Sequence, residues 1–363
     1  MATWRDRGLA LRDRVLADPR FQRWAARFPL TRPIAERRAT ALFDLCAGFV
    51  YSQVLFACVH LGLLEALAEH GPSAPSELAR TLQLSRGATE RLLDAAADLA
   101  LVERRSGNRW GLGKHGTSYV GNPGIAAMVR HHALLYRDLA DPIALLRGAP
   151  ETELRRFWDY TPDADEGAVA AYSRLMADSL GLLAEDVIEA WPLRGRRHLI
   201  DLGGGLGVFV EHASRHAPDL ALTLFDLPPV AAQAERRLAA CDLERIQVVG
   251  GDLFVDPLPG PADVVSLVRV LHDHDDEGAL QILRAARRAL EPGGTLLVAE
   301  PMRGTRGAEP VGAYFTFYLL AMGQGRPRSA EEVRALMHEA GFRAVEPLRT
   351  RRPMLTRLVV GRA

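Results

Sequence analysis

The stretch His198-Leu199-Ile200-Asp201-Leu202-Gly203-Gly204-Gly205-Leu206-Gly207 decides the fold of this 363-residue chain. A short apolar run ends in a carboxylate, and glycines follow that acid at the second, third, fourth and sixth positions. Such a run, then a glycine turn, then a helical pattern reads as the strand, loop and helix of an open α/β sheet. The dinucleotide fingerprint G-x-G-x-x-G fails in both registers, because Val208 or Val210 stands where its last glycine belongs. No lysine follows the loop, which excludes the G-x-x-x-x-G-K phosphate motif as well. What remains is a loop whose bare backbone lets a flat, unphosphorylated ligand come close.

Further along, ALTLFDLP (221–228), IQVVGGDLF (246–254), ADVVSLVRVL (262–271), GTLLVAE (294–300) and LTRLVVG (355–361) alternate with helical patterns. This alternation predicts a largely parallel sheet with ligands bound beyond the carboxyl ends of its strands. Three successive strands end in acids, the pattern that S-adenosylmethionine requires. Asp201 with the carbonyls of Gly203, Gly204 and Gly205 is expected to meet the ammonium group. Asp226, 19 residues after Gly207 and followed by Leu227, is expected to meet the ribose diol, and Asp252, Leu253 and Phe254 the adenine. The loop and the following helix start offer amide donors to the carboxylate.

The fourth run leads into Arg269-Val270-Leu271-His272-Asp273-His274-Asp275-Asp276-Glu277. A histidine just past a strand end faces the place where a transferable methyl group would lie. An alcohol is a poor nucleophile unless its proton leaves as the new bond forms, and imidazole, with a free pKa near 6.5, suits that task. Glu300, at the end of the next strand, is expected to hold one ring nitrogen and aim the other. His272 and His274 have no zinc-ligand spacing, so no metal is expected, and Asp275, Asp276 and Glu277 read as the negative first turn of a helix.

Upstream the texture is helical. Residues 1–38 carry ten arginines against four acids, interleaved with Trp4, Leu11, Phe21, Trp24 and Phe28. This arm suits either a neighbouring subunit or an anionic membrane surface. Apolar residues from Leu42 to Leu67 fall at helical spacing, which predicts helices with one buried face. Residues 75–112 read as helix, turn, helix and a small hairpin tipped by Ser106-Gly107-Asn108, a winged-helix pattern. Six arginines against five acids over 73–112, with Glu90, Asp94 and Asp98 along the second helix, disfavour nucleic acid and favour dimerisation. A transcription factor that keeps the ligand as a sensor is the competing class, and the same charge balance argues against it.

The composition agrees: 48% hydrophobic, 25% charged and zero formal net charge describe a folded, soluble protein with no overall field toward polyanions. Three scattered cysteines fit a reducing cytoplasm. No unbroken apolar run has spanning length, and the amino terminus lacks a signal-peptide core, so neither secretion nor membrane crossing is expected.

The helical amino-terminal region together with DLGGGLG, FDLP, GGDLF, RVLHD and LLVAEP resembles the small-molecule O-methyltransferases related to caffeate and acetylserotonin methyltransferases, over nearly residues 40–345. RFPLTRPIAERRATALFDLCAGFVYSQVLFACV, SLVRVLHDHDDEGAL and AEPVGAYFTFYLLAMGQGRPRS resemble one branch, the acyclic carotenoid 1-O-methyltransferases of purple bacteria (hydroxyneurosporene and demethylspheroidene type). The resemblance implies methylation of the tertiary hydroxyl of a long, linear hydroxycarotenoid. An aromatic natural product such as a polyketide phenol, or a tetrapyrrole precursor, is the alternative substrate. His272 takes the family's base position, Arg269 and Asp273 the flanking polar ones, and Glu300 that of the orienting carboxylate. Pro327 stands where plant relatives carry a second orienting glutamate. Tyr172, Met176, Tyr314, Phe317, Tyr318 and Met322 are the expected substrate-lining residues, while His131 and His132 are ambiguous.

The expected architecture is thus α/β, a Rossmann-like S-adenosylmethionine-dependent methyltransferase domain (193–363). It is preceded by a basic arm (1–38), an all-helical, winged-helix-like dimerisation domain (39–119) and a helical connector roofing the pocket (120–192). The expected partners are a hydrophobic small molecule and a second copy, with no nucleic acid. The expected location is the cytoplasm, in peripheral contact with the photosynthetic membrane.

Overall fold

In the computed structural model His198–Leu202 is β3, the third strand in the order β5-β4-β3-β6-β7-β9-β8. The structure describes residues 4–148, 151–157, 177, 180–243 and 245–363. The chain divides into two units, Met1–Gly121 and Asn122–Ala363.

In the second unit, β4 (Ala221–Asp226), β5 (Gln247–Gly250), β6 (Ala262–Val268) and β7 (Leu290–Glu300) run parallel to β3. The last two strands, β8 (Arg343–Leu348) and β9 (Arg357–Arg362), join antiparallel. Alternate residues of the sheet serve two cores, as the period of two requires. Ile200, Leu202, Val265 and Leu267 pack against α14 (Asp276–Arg288) and α16 (Ala330–Glu339) through Ile282, Leu283, Val333 and Met337. Leu199 and Val264 face the other core, with Leu183 and Val187 of the helix over 180–190, Phe209 of α12 (Val208–His216) and Leu238 of α13 (Pro228–Ala239). Each such side chain contributes about 1.5–3 kcal/mol of burial, which is why these runs read so clearly. β8 lacks that signature: Arg343, Ala344 and Glu346 are exposed on an edge strand, and sequence reasoning missed it. The helices α8 (Pro123–Asp138) and α9 (Pro142–Leu146) each begin at a proline, and α10 (Glu153–Phe157) follows them. Asp141 caps α9 by accepting from the Ala144 amide at 2.9 Å.

In the first unit, α1 (Trp4–Ala17), α2 (Pro19–Arg27), α3 (Arg32–His60) and α4 (Leu63–His70) precede α5 (Pro75–Thr81) and α6 (Arg86–Asp98). The hairpin of β1 (Val102–Arg105) and β2 (Arg109–Leu112), with its turn at 106–108, and α7 (Lys114–Val120) complete the winged-helix pattern. Helical spacing along 42–67 suits core helices or helices that meet a second copy, and within the single chain the core reading needs correction for α3. In α3 only Cys58 and Val59 are buried, while Leu42, Phe43, Leu45 (82% exposed) and Phe49 (73%) are bare. Burial resumes in α4 at Leu63, Leu64 and Leu67. A second correction concerns hydropathy. Polar residues interrupt every apolar run, yet α3 as a whole is long and apolar enough in composition to cross a membrane.

Candidate active site

The glycine loop closes over the end of β3 because its positions are crowded or left-handed. Gly203 has φ +68° and a Cβ there would lie 2.8 Å from Val270 Cγ2; a Cβ on Gly204 would lie 2.7 Å from Leu224 Cγ. Beneath the loop Asp201 is buried, with Oδ1 accepting from the Ser266 hydroxyl at 2.6 Å and Oδ2 without a partner among the described residues. Burial pushes its carboxyl up to about 7, with Ser266 pulling the other way and the Asp226 charge adding to the rise. Asp226, at the end of β4, accepts from the amides of Gly205 and Leu227, both at 2.7 Å. Burial raises it to about 6 against those two donors.

Next to this loop, where the strand order reverses, lies a cavity of about 760 Å³. Its walls include Gly203, Gly204, Gly205, Asp226, Leu227, Asp252, Leu253 and Phe254, as well as Arg269, Asp273 and Met322. Asp201 is not among the lining residues and lies under the loop, so its expected direct contact with an ammonium is corrected to support from below. Asp252 accepts from the Phe254 amide at 2.8 Å, which shapes the turn after β5. His274 also lines the cavity and meets Phe254 edge to face, with ring centroids 5.2 Å apart. Asp275, and not His274, is the cap of α14.

His272 occupies a single 3₁₀ turn, Leu271–Asp273, and is 4% exposed. Its ring stacks on Phe315 at 5.6 Å, and Nε2 lies 3.1 Å from Asp273 Oδ1, an ion-pair distance without hydrogen-bond alignment. Nδ1 has no partner among the described residues. Glu300 is not on the ring, contrary to expectation. Its Oε2 accepts from the backbone N–H of His272 at 3.1 Å, and its Oε1 is unpartnered among the described residues. Burial alone would lower the imidazole pKa, but Asp273 and Glu300 more than offset this, against Arg269, and hold it above the ordinary histidine value. Burial raises Glu300, opposed by His272 and Arg328.

The expected substrate-lining set is only partly assembled. Met322 reaches the cavity. Tyr314 and Tyr318 of α15 (Glu309–Met322) instead bond His132 and His131 of α8, each at 2.8 Å. Burial lowers both histidines to about 4, so these are neutral packing partners. Phe317 is half-buried and does not line the cavity, and Tyr172 and Met176 lie outside the described residues. Sequence reasoning missed Ser266, which its register opposite Asp201 could have suggested, and Arg328, for which no local signal exists.

Two family models match the chain, an O-methyltransferase domain over residues 136–343 and an O-methyltransferase dimerisation domain over 43–122. The crystal structure of human N-acetylserotonin methyltransferase in complex with S-adenosylmethionine matches with a TM-score of 0.77 at 27% identity, over 90% of this chain and 97% of that one. The chain belongs to this family of S-adenosylmethionine-dependent O-methyltransferases. Within it, the resemblance read from the sequence holds from end to end. Demethylspheroidene O-methyltransferase of Cereibacter sphaeroides is 44% identical over 95% of this chain and 93% of its own length. The protein of the same name from Rhodobacter capsulatus is 42% identical over 95% and 88%.

Proposed function

We propose that the chain methylates the tertiary 1-hydroxyl of an acyclic hydroxycarotenoid, with His272 as general base. The observation that supports the reaction is the His272 turn, whose Asp273 lines the cavity while the imidazole lies just behind that wall, with Nε2 3.1 Å from Asp273 and Nδ1 buried without a partner among the described residues. The two relatives named demethylspheroidene O-methyltransferase support the substrate class. The cavity fits the co-substrate. It offers the bare backbone of Gly203 to Gly205 for the methionine end, Asp226 with Leu227 for the ribose, and Asp252, Leu253 and Phe254 for the adenine, with Asp201 supporting the loop. When bound, S-adenosylmethionine supplies a methyl carbon on a positively charged sulfur, open to in-line attack.

This chain's residues do the rest. In this reading the Asp273 carboxylate, 3.1 Å from Nε2, favours a proton on that nitrogen, and Nδ1 takes the hydroxyl proton as the oxygen–carbon bond forms at the expense of the carbon–sulfur bond. Glu300 holds the turn by its backbone and offsets the imidazolium charge that results. Arg269, on the cavity wall, moderates that field. Met322, on the cavity wall, supplies apolar surface for a polyene. Incubation with labelled S-adenosylmethionine and hydroxyneurosporene, beside a panel of phenols and a tetrapyrrole precursor, tests the substrate. Turnover of the phenols or the tetrapyrrole alone would refute the carotenoid assignment.

In the same reading a second copy covers the bare face of α3, the helix on which the dimerisation-domain match begins. The arm ahead of it lies on the cytoplasmic face of the photosynthetic membrane. Support comes from the excess of six positive charges over residues 1–38 and from the exposed ladder Phe21-Trp24-Phe28, with ring centroids 5.7 and 5.1 Å apart.

A further inference from the structure

The segment Gly325-Arg326-Pro327-Arg328 runs beneath the His272 turn. Arg328 is completely buried, unusual for a residue that in a short polar linker would ordinarily reach solvent. Its Nη1 donates to the carbonyl of Leu271 at 2.6 Å and its Nη2 to the carbonyl of His274 at 2.8 Å, one on each side of His272. Nε and Nη2 both reach Asp276 Oδ1, at 2.9 and 2.8 Å, which neutralises the cation. The His272 carbonyl itself accepts from the Arg326 amide at 2.9 Å. Gly325, at φ +80°, permits this approach, because a Cβ there would sit 2.2 Å from the same carbonyl oxygen. From the opposite side Glu300 takes the His272 N–H. The backbone of the turn is therefore gripped on its carbonyl side by the linker and on its amide side by β7, while the imidazole makes no hydrogen bond to either grip.

We propose that Arg328 is a positioning residue for methyl transfer, acting through the Leu271 and His274 carbonyls to hold the imidazole of His272 at the cavity lip. This rests on the reading of His272 as the base. A guanidinium is the one side chain that can serve two carbonyls and a carboxylate in fixed directions at once; an ammonium keeps the charge and loses the fork. Placement matters here because a displacement of about 1 Å in a reacting group can cost about 10²-fold in rate.

The test compares the wild type with Arg328→Lys, Arg328→Gln and Asp276→Asn, the last loosening the outer anchor that Asp276 gives to the guanidinium groups of both Arg328 and Arg326. Each is measured by kcat and KM for the hydroxylated acceptor, by calorimetric affinity for S-adenosylhomocysteine, and by NMR titration of the His272 ring, whose neighbours are Asp273 on its own turn, Glu300 from β7 and Arg269 from the end of β6. Arg328→Lys is expected to lower kcat by about 10–10²-fold, to leave KM and cofactor affinity nearly unchanged, and to move the titration midpoint of the His272 ring. Asp276→Asn should give a smaller change of the same kind. Unchanged kcat and an unmoved His272 titration in a folded Arg328→Lys enzyme would overturn the proposal. So would parallel loss of turnover, cofactor affinity and folding, which would make the arginine a scaffold residue. The ring titration is read without turnover, so it separates failure here from failure of the base assignment, which His272→Ala tests.

Discussion

Replacing Ser266 by alanine tests the electrostatics under the cofactor loop. The hydroxyl gives Asp201 its one side-chain hydrogen bond, at 2.6 Å, inside a core where the second carboxylate oxygen has no partner among the described residues. Donation to a carboxylate is worth about 1.5–3 kcal/mol, and donation to a neutral acceptor about 0.5–1.5 kcal/mol. The difference, about 1–1.5 kcal/mol, corresponds to about one pKa unit on Asp201. The folded-state value of Asp201, about 7, lies above its ordinary 3.8. Its contribution to stability is therefore complete below the unfolded value and is lost as pH rises through the folded one. Removing Ser266 drives the folded value higher and deepens that loss. The substitution should accordingly cost about 1 kcal/mol near pH 5.5 and about 2–2.5 kcal/mol near pH 8.5. Denaturant titration of the α/β unit at the two pH values reads this directly, and the Tm difference should widen by about 2–4 °C per kcal/mol. In an Asp201→Asn background the pH dependence should vanish. A Ser266→Ala cost equal at both pH values, or larger at the acidic one, refutes the reasoning.

Two substitutions at the site should separate chemistry from binding. His272→Ala lowers kcat by about 10²–10⁴-fold and leaves the calorimetric affinity for S-adenosylhomocysteine nearly intact, whereas Asp226→Asn weakens that affinity first. In the wild type the affinity should strengthen as pH rises through about 6, where burial has placed Asp226, and the Asp226→Asn enzyme should lose that rise; an affinity that falls with pH would count against the ribose assignment. For the arm, deletion of residues 4–38 should abolish co-sedimentation with vesicles containing anionic lipid, and salt should weaken the wild-type interaction. Equal sedimentation with neutral vesicles would dismiss the electrostatic part of that contact.

The sheet was legible because its strands are apolar runs that must bury both faces, and the site was legible where acids and glycines stand at strand ends. Asp226 and Asp252, which line the cavity, needed only that rule. What was hidden depends on partners far away in sequence. Arg328 looks solvated until Asp276, 52 residues earlier, and two backbone carbonyls are placed around it. Glu300 was placed near His272 correctly but assigned to the ring; it holds the backbone amide instead, because the 3₁₀ turn presents N–H groups to β7. The apolar spacing along α3 was also real, but spacing reports that a face wants cover and not which molecule provides it.

The electrostatics of the turn bear on how hard a proton this enzyme can remove. A tertiary alcohol is far less acidic than a phenol, so a base of ordinary strength would transfer little charge before the methyl group arrives. Desolvation works against the histidine, since an imidazolium is costly to bury. Asp273 at 3.1 Å and Glu300 beneath the turn reverse that sign and raise its basicity. The opposing cation, Arg269, pulls the other way and moderates that rise. With His272 as the proposed base, raised basicity has a kinetic signature: the ring is protonated and idle on the acidic side, and the acidic limb of the rate profile is expected to follow its titration. A second glutamate where Pro327 stands would add negative charge to the same turn and push that limb further toward alkaline pH. With the linker fastened by Arg328 and Arg326 to the backbone carbonyls, the turn is secured without a third carboxylate.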